Sequence, residues 1–98
     1  MIPSTGRARL LAFLRTGRSI TTRQATRFGL TPDSTRARIS EFRKAGLAIY
    51  TNDHKGRVAY RMGTPTRREV AAGKLVLNDP YLSQYLKAEI EANLALVN

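Results

Sequence analysis

Apolar residues recur along this chain at helical spacing, broken twice by alternating stretches. Leu10, Leu11 and Leu14 make a stripe with Phe13 beside it, and Arg7, Arg9 and Arg15 fall toward the other side. This predicts a helix over residues 5–16, capped by Ser4 or Thr5 and stopped at Gly17. Arg18-Ser19-Ile20 has room for a minor strand. A second helix starts at Thr21 or Thr22, where Thr21-x-x-Gln24 fits a reciprocal capping box. Ala25 and Phe28 share its inner face, and Gly29 ends it.

The third helix has the clearest start. Thr31 is a good cap, Pro32 suits a first helical position because its missing N–H is not needed there, and Asp33 complements the positive helix end. Thr35, Ile39 and Phe42, at spacings of four and three, form the buried face, and Gly46 supplies the stop. The opposite face carries Ser34, Arg36, Ala37, Ser40 and Arg43, with Arg38 flanking it.

The period then changes from helical to alternating. Leu47-Ala48-Ile49-Tyr50-Thr51 and Val58-Ala59-Tyr60-Arg61-Met62 read as two strands of a hairpin, joined by a polar loop over residues 52–57. Thr64-Pro65 opens a short helix over residues 65–72 that stops near Gly73, and Thr66-x-x-Glu69 is a second possible cap for it. Asp79-Pro80 opens a last helix over residues 80–96, with a stripe of Leu82, Tyr85, Leu86, Ile90, Leu94 and Val97. The expected fold is mainly α with a small β-hairpin (α+β).

Charge changes the picture more than composition does. The 98 residues suit one domain with a modest core, and 42% are hydrophobic, as in a globular chain. No stretch approaches a membrane span and no secretory segment is visible, so the expected compartment is the cytoplasm. With no cysteine and a single histidine, His54, the chain lacks thiolate chemistry and most zinc and serine-nucleophile constellations. There is no phosphate-cradling glycine loop and no paired carboxylate set. The chain therefore reads as a non-enzyme that needs no cofactor and no metal. The net charge is +10. Residues 1–74 hold sixteen basic and four acidic side chains, while residues 75–98 are slightly acidic. A basic N-terminal part of this kind calls for a polyanion.

Helix, short extended piece, helix, tight turn, helix, hairpin is an order that resembles the winged helix-turn-helix family. The resemblance is sharpest over residues 20–50. Thr21 to Phe28 looks like the first helix of the motif, Gly29-Leu30-Thr31 like its turn and Pro32 to Ala45 like its recognition helix. Ala25 stands where two helices must cross closely. The string Arg38-Ile39-Ser40-Glu41-Phe42-Arg43-Lys44-Ala45-Gly46 is similar to small helix-turn-helix proteins of tailed phages and prophages.

The resemblance implies double-stranded DNA as partner, with residues 32–45 in the major groove and residues 52–57 on adjacent backbone or minor groove. It implies base contacts from Ser34, Arg36, Ala37 and Ser40. Phosphate contacts would come from Thr21, Thr22, Arg23, Arg38, Arg43, Lys55 and Arg57. Arg27, Arg67 and Arg68 read equally well as phosphate contacts or solvated charges. Residues 1–74 would be the DNA-binding domain and residues 75–98 a helical extension. Its stripe of Leu82, Tyr85, Leu86, Ile90, Leu94 and Val97 is too apolar to stand alone. It is expected to join two copies into a homodimer, the alternative being packing inside one chain. The expected role is a phage-type transcriptional regulator acting as a repressor in a bacterial host cytoplasm. An architectural recombination factor of excisionase type and a module that binds and inhibits a host protein are the alternatives.

Overall fold

The computed structural model describes residues 5–80 and 84–97, and the side chains of all of these except His54, Tyr85, Leu96 and Val97. In chain order the elements are α1 (Gly6–Leu14), β1 (Ile20–Thr21), a 3₁₀ helix (Gln24–Phe28), α2 (Pro32–Lys44), β2 (Ile49–His54), β3 (Arg57–Met62), α3 (Arg67–Val76) and α4 (Gln84–Val97). The three strands form one antiparallel sheet in the order β1-β3-β2. The expected minor strand is thus real, with Ile20 opposite Tyr60.

Local signals account for most helix starts. The Thr5 hydroxyl accepts from the Ala8 N–H at 3.1 Å and caps α1; the alternative cap, Ser4, lies outside the described residues. α1 ends at Leu14, two residues before the expected Thr16. Thr16 donates its N–H and its hydroxyl to the Phe13 carbonyl, and Gly17 donates to Leu14. These bonds three residues back tighten the chain into a turn.

The Thr21–Gln24 box also forms. The Thr21 N–H donates to Gln24 Oε1 at 2.9 Å, and the Gln24 N–H to Thr21 Oγ1 at 3.1 Å. The helix it announces is nevertheless shorter and tighter than expected. Thr21 is held extended by its pairing with Ala59 in the sheet, and Gly29 stops the chain at φ +81°. The few residues between them wind as 3₁₀.

The hairpin differs from expectation in the opposite direction. The predicted loop over residues 52–57 shrinks to Lys55-Gly56, with His54 opposite Arg57 and the ladder continuing to Ile49–Met62. Lys55 has φ +54° and Gly56 φ +78°, the type I′ conformation that matches strand twist. Polar Asn52 and Asp53 escaped a strand prediction because Tyr50, Thr51, Asn52 and Asp53 are all exposed and β2 shows no alternation there.

α3 starts at Thr66, whose hydroxyl accepts from the Glu69 N–H while Glu69 Oε1 accepts from the Thr66 N–H. The second of the two possible caps is therefore the one used. α3 then runs through Gly73 to Val76 instead of stopping at Ala72. Gly73 serves a close approach: a Cβ there would sit 2.6 Å from the Ala45 carbonyl oxygen and 3.1 Å from Ile90 Cγ2. Gly46, at φ +85°, is the facing half of this contact, since a Cβ on it would come 2.0 Å from the Glu69 carbonyl oxygen. The end of α2 is thus seated directly on α3.

One core joins these pieces. Leu10, Leu11, Leu14, Ile20, Ala25, Ile39, Phe42, Leu47, Ile49 and Tyr60 meet Leu86 and Ile90 of α4, and Leu94 packs against the cluster. Glu89, also buried, receives the Arg15 guanidinium in an ion pair that ties α4 to the end of α1. This corrects the dimer expectation for Leu86, Ile90 and Leu94. A chain of this size needs their area for its own core, so these three side chains pack within the same chain. Leu82 and the side chains of Tyr85 and Val97 lie outside the described residues.

Candidate nucleic-acid interface

α2 is the element whose sequence separates a buried stripe from a polar face most clearly. The Thr31 hydroxyl accepts from the Ser34 N–H at 3.1 Å and the Ser34 hydroxyl accepts from the Thr31 N–H at 2.9 Å, with Pro32 and Asp33 in the first turn. Thr35, Ile39 and Phe42 are buried behind it, as their spacing predicts. Arg36, Ala37 and Ser40 are exposed on the other side. Asp33 and Lys44 share that exposed surface. Lys44 was missing from the expected site, yet it lies four residues after Ser40 and seven after Ala37, on the same helical face. One Arg36 terminal nitrogen is paired with the Asp33 carboxylate one turn back, and both side chains are well exposed.

Four expected contact residues have other work. The Ser34 hydroxyl is occupied by the cap, donating in turn to the Thr31 carbonyl. The Arg43 Nε donates to the Ile49 carbonyl at 3.0 Å and its terminal nitrogen to Thr51 Oγ1 at 2.8 Å, with the guanidinium 5.7 Å from the Tyr60 ring centre. Arg43 therefore clamps the end of α2 to the free edge of β2. Arg38 turns inward: its Nε is buried, 3.7 Å from a Glu41 oxygen, and Glu41 also pairs with Arg7 of α1. Thr21 is buried in β1, its hydroxyl held by Gln24. These roles depend on neighbours that helical spacing alone does not name.

Arg23, at the start of the 3₁₀ helix, is exposed, with Thr22 half-buried beside it. Lys55 sits at the hairpin tip and Arg57 one residue past the turn, both exposed. Arg61 follows Arg57 on the same face of β3 and stands opposite Tyr50, which is itself exposed. The result is an exposed polar and basic face on α2, with further exposed basic side chains on the hairpin. Among the described residues, no helix is long and apolar enough to cross a membrane.

A family model described as a winged helix-turn-helix domain matches residues 5–72. The match runs from the cap of α1 into α3. No curated protein and no solved structure gives a significant match.

Proposed function

We propose that this chain, which belongs to the winged helix-turn-helix domain family, is a sequence-specific duplex-DNA-binding regulator that acts by occupying its operator. Membership supports DNA binding in general. The finer reading is carried by one observation, the exposed face of Arg36, Ala37, Ser40 and Lys44 over the buried stripe of α2.

A helix about 10–12 Å across fits a major groove about 12 Å wide. Arg36 is the principal base reader. Its pair with Asp33 is an exposed ion pair, and such pairs contribute about 0–1 kcal/mol. A bidentate guanine contact contributes about 1–3 kcal/mol of discrimination, so the exchange of Asp33 for a guanine edge is favourable. Ala37 presents a methyl group to thymine, and Ser40 a hydroxyl to either base type. Lys44, Arg23, Lys55 and Arg57 meet phosphates as point charges or forks.

The test is fluorescence anisotropy on a selected operator and on random duplex. Arg36→Ala weakens operator binding by about 1–3 kcal/mol and relaxes one base preference. Unchanged affinity and unchanged preference would remove α2 as the reader.

A further inference from the structure

We infer that Arg18 and Arg27, laid on the Phe13–Phe28 pair, form a second phosphate-gripping ledge that seats the DNA backbone flanking the α2 site. The inference rests on the DNA-binding reading above and adds a surface to it.

Phe13 of α1 and Phe28 of the 3₁₀ helix are both half-buried, with ring centres 6.0 Å apart and planes at 54°. Guanidinium groups cover what the core leaves open. Arg18 lies 4.8 Å from the Phe13 ring centre, and Arg27 lies 5.6 Å from Phe13 and 5.8 Å from Phe28. Each is also tethered through Nε, Arg18 to Thr16 Oγ1 at 3.3 Å and Arg27 to the Gln24 carbonyl at 3.2 Å. The terminal nitrogens of both make no hydrogen bond among the described residues. These are two donor forks with their planes held and their outer edges free.

The charge around them is uncompensated. Elsewhere Arg15 has Glu89, Arg36 has Asp33, and Arg7 and Arg38 share Glu41. Among the described residues, no carboxylate lies within ion-pair distance of Arg18, Arg27 or the nearby Arg23. Stacked, preorganised guanidinium groups lose little side-chain freedom when they take a phosphate, and their fork matches its oxygens.

Position selects the ligand. Phe28 is joined to Pro32 through only Gly29-Leu30-Thr31, so the two lie at most about 14 Å apart along the chain. The ledge therefore stands beside the N-terminal end of α2, the end that a reading helix directs at the groove. A duplex seated there brings its sugar-phosphate backbone to Arg18 and Arg27.

The salt dependence of binding to a random-sequence duplex tests this. Arg18→Gln with Arg27→Gln lowers the slope of log affinity against log salt by about 1.8, at about 0.9 per phosphate contact, and weakens low-salt binding about tenfold or more. Arg18→Lys with Arg27→Lys keeps the slope and loses affinity a few-fold, because an ammonium lacks the planar fork. A wild-type slope in the Gln pair overturns the ledge. So does an equal fall in a control pair, Lys74→Gln with Lys87→Gln, which removes the same charge from exposed sites on α3 and α4. Either result leaves the α2 reading standing if Arg36→Ala still loses its base preference. Absence of duplex binding by the wild-type protein overturns both.

Discussion

α2 and the hairpin present basic side chains to the same solvent, but they are held in different ways. α2 is fixed at both ends and along its back. Thr31 and Ser34 cap its start, Phe42 is fully buried, Arg43 clamps its end to β2 and Gly46 seats it on α3. The hairpin beyond Thr51 has no such support. Asn52, Asp53 and residues 55–58 are all exposed, Val58 by 52%, and the tip is closed by a two-residue turn in which Lys55 adopts a positive φ. The difference matches the two tasks proposed for them. Base edges must be met in register, and a helix locked by its core holds that register. Phosphates recur along the duplex, so a ribbon that carries charge can meet them without a buried scaffold.

The sharpest way to break this comparison is to remove a side chain from each region. Phe42→Ala costs about 3–5 kcal/mol in denaturant unfolding, through lost burial and the cavity left behind. Val58→Thr changes stability by no more than about 0.5 kcal/mol. Equal costs would show that the hairpin is as integral to the core as α2.

Arg43→Met sharpens it at the junction. Losing the bonds to Ile49 and Thr51 costs about 1–2 kcal/mol of stability and leaves the salt slope of DNA binding unchanged. A slope reduced by about 0.9 would place Arg43 on a phosphate instead. Thr31→Ala removes the cap and costs about 1 kcal/mol, read as faster amide exchange confined to the first turn of α2. Protection spread evenly along the helix would mean that the core alone holds it.

The smallest effect has two opposite signs. Lys55→Asn suits the type I′ turn better and raises stability by about 0.5 kcal/mol, while removing a charge and lowering the salt slope by about 0.9. A tip that gains stability with no change in slope lies outside the DNA footprint.

Legibility in the sequence followed range. The caps at Thr31 and Thr66, the stripe of Thr35, Ile39 and Phe42 and the Thr21–Gln24 box all join groups three or four residues apart, and all formed. At the candidate site, Arg36, Ala37 and Ser40 were legible from the same periodicity, which also contained Lys44 without its being read. Ser34 and Arg43 share that outward pattern but are bound, one by the cap and the other by β2. Periodicity states which way a side chain points and is silent on what waits there.

Residue order alone was enough for the helix-helix-hairpin sequence, the basic character of its first three quarters and the face of α2. These rest on hydrogen bonds and solvent partition within one or two turns. Folding in three dimensions settled the rest. Thr21 became a strand residue because Ala59 pairs with it from a distant part of the chain. α3 passed through Gly73 because Ala45 and Ile90 press against the missing side chain. α4 turned inward because Glu89 found Arg15 and because Leu86 and Ile90 were needed in the core. Each of these outcomes is a contact between residues far apart in the chain. Its energy exists only once both partners are in place, so no local pattern carries it.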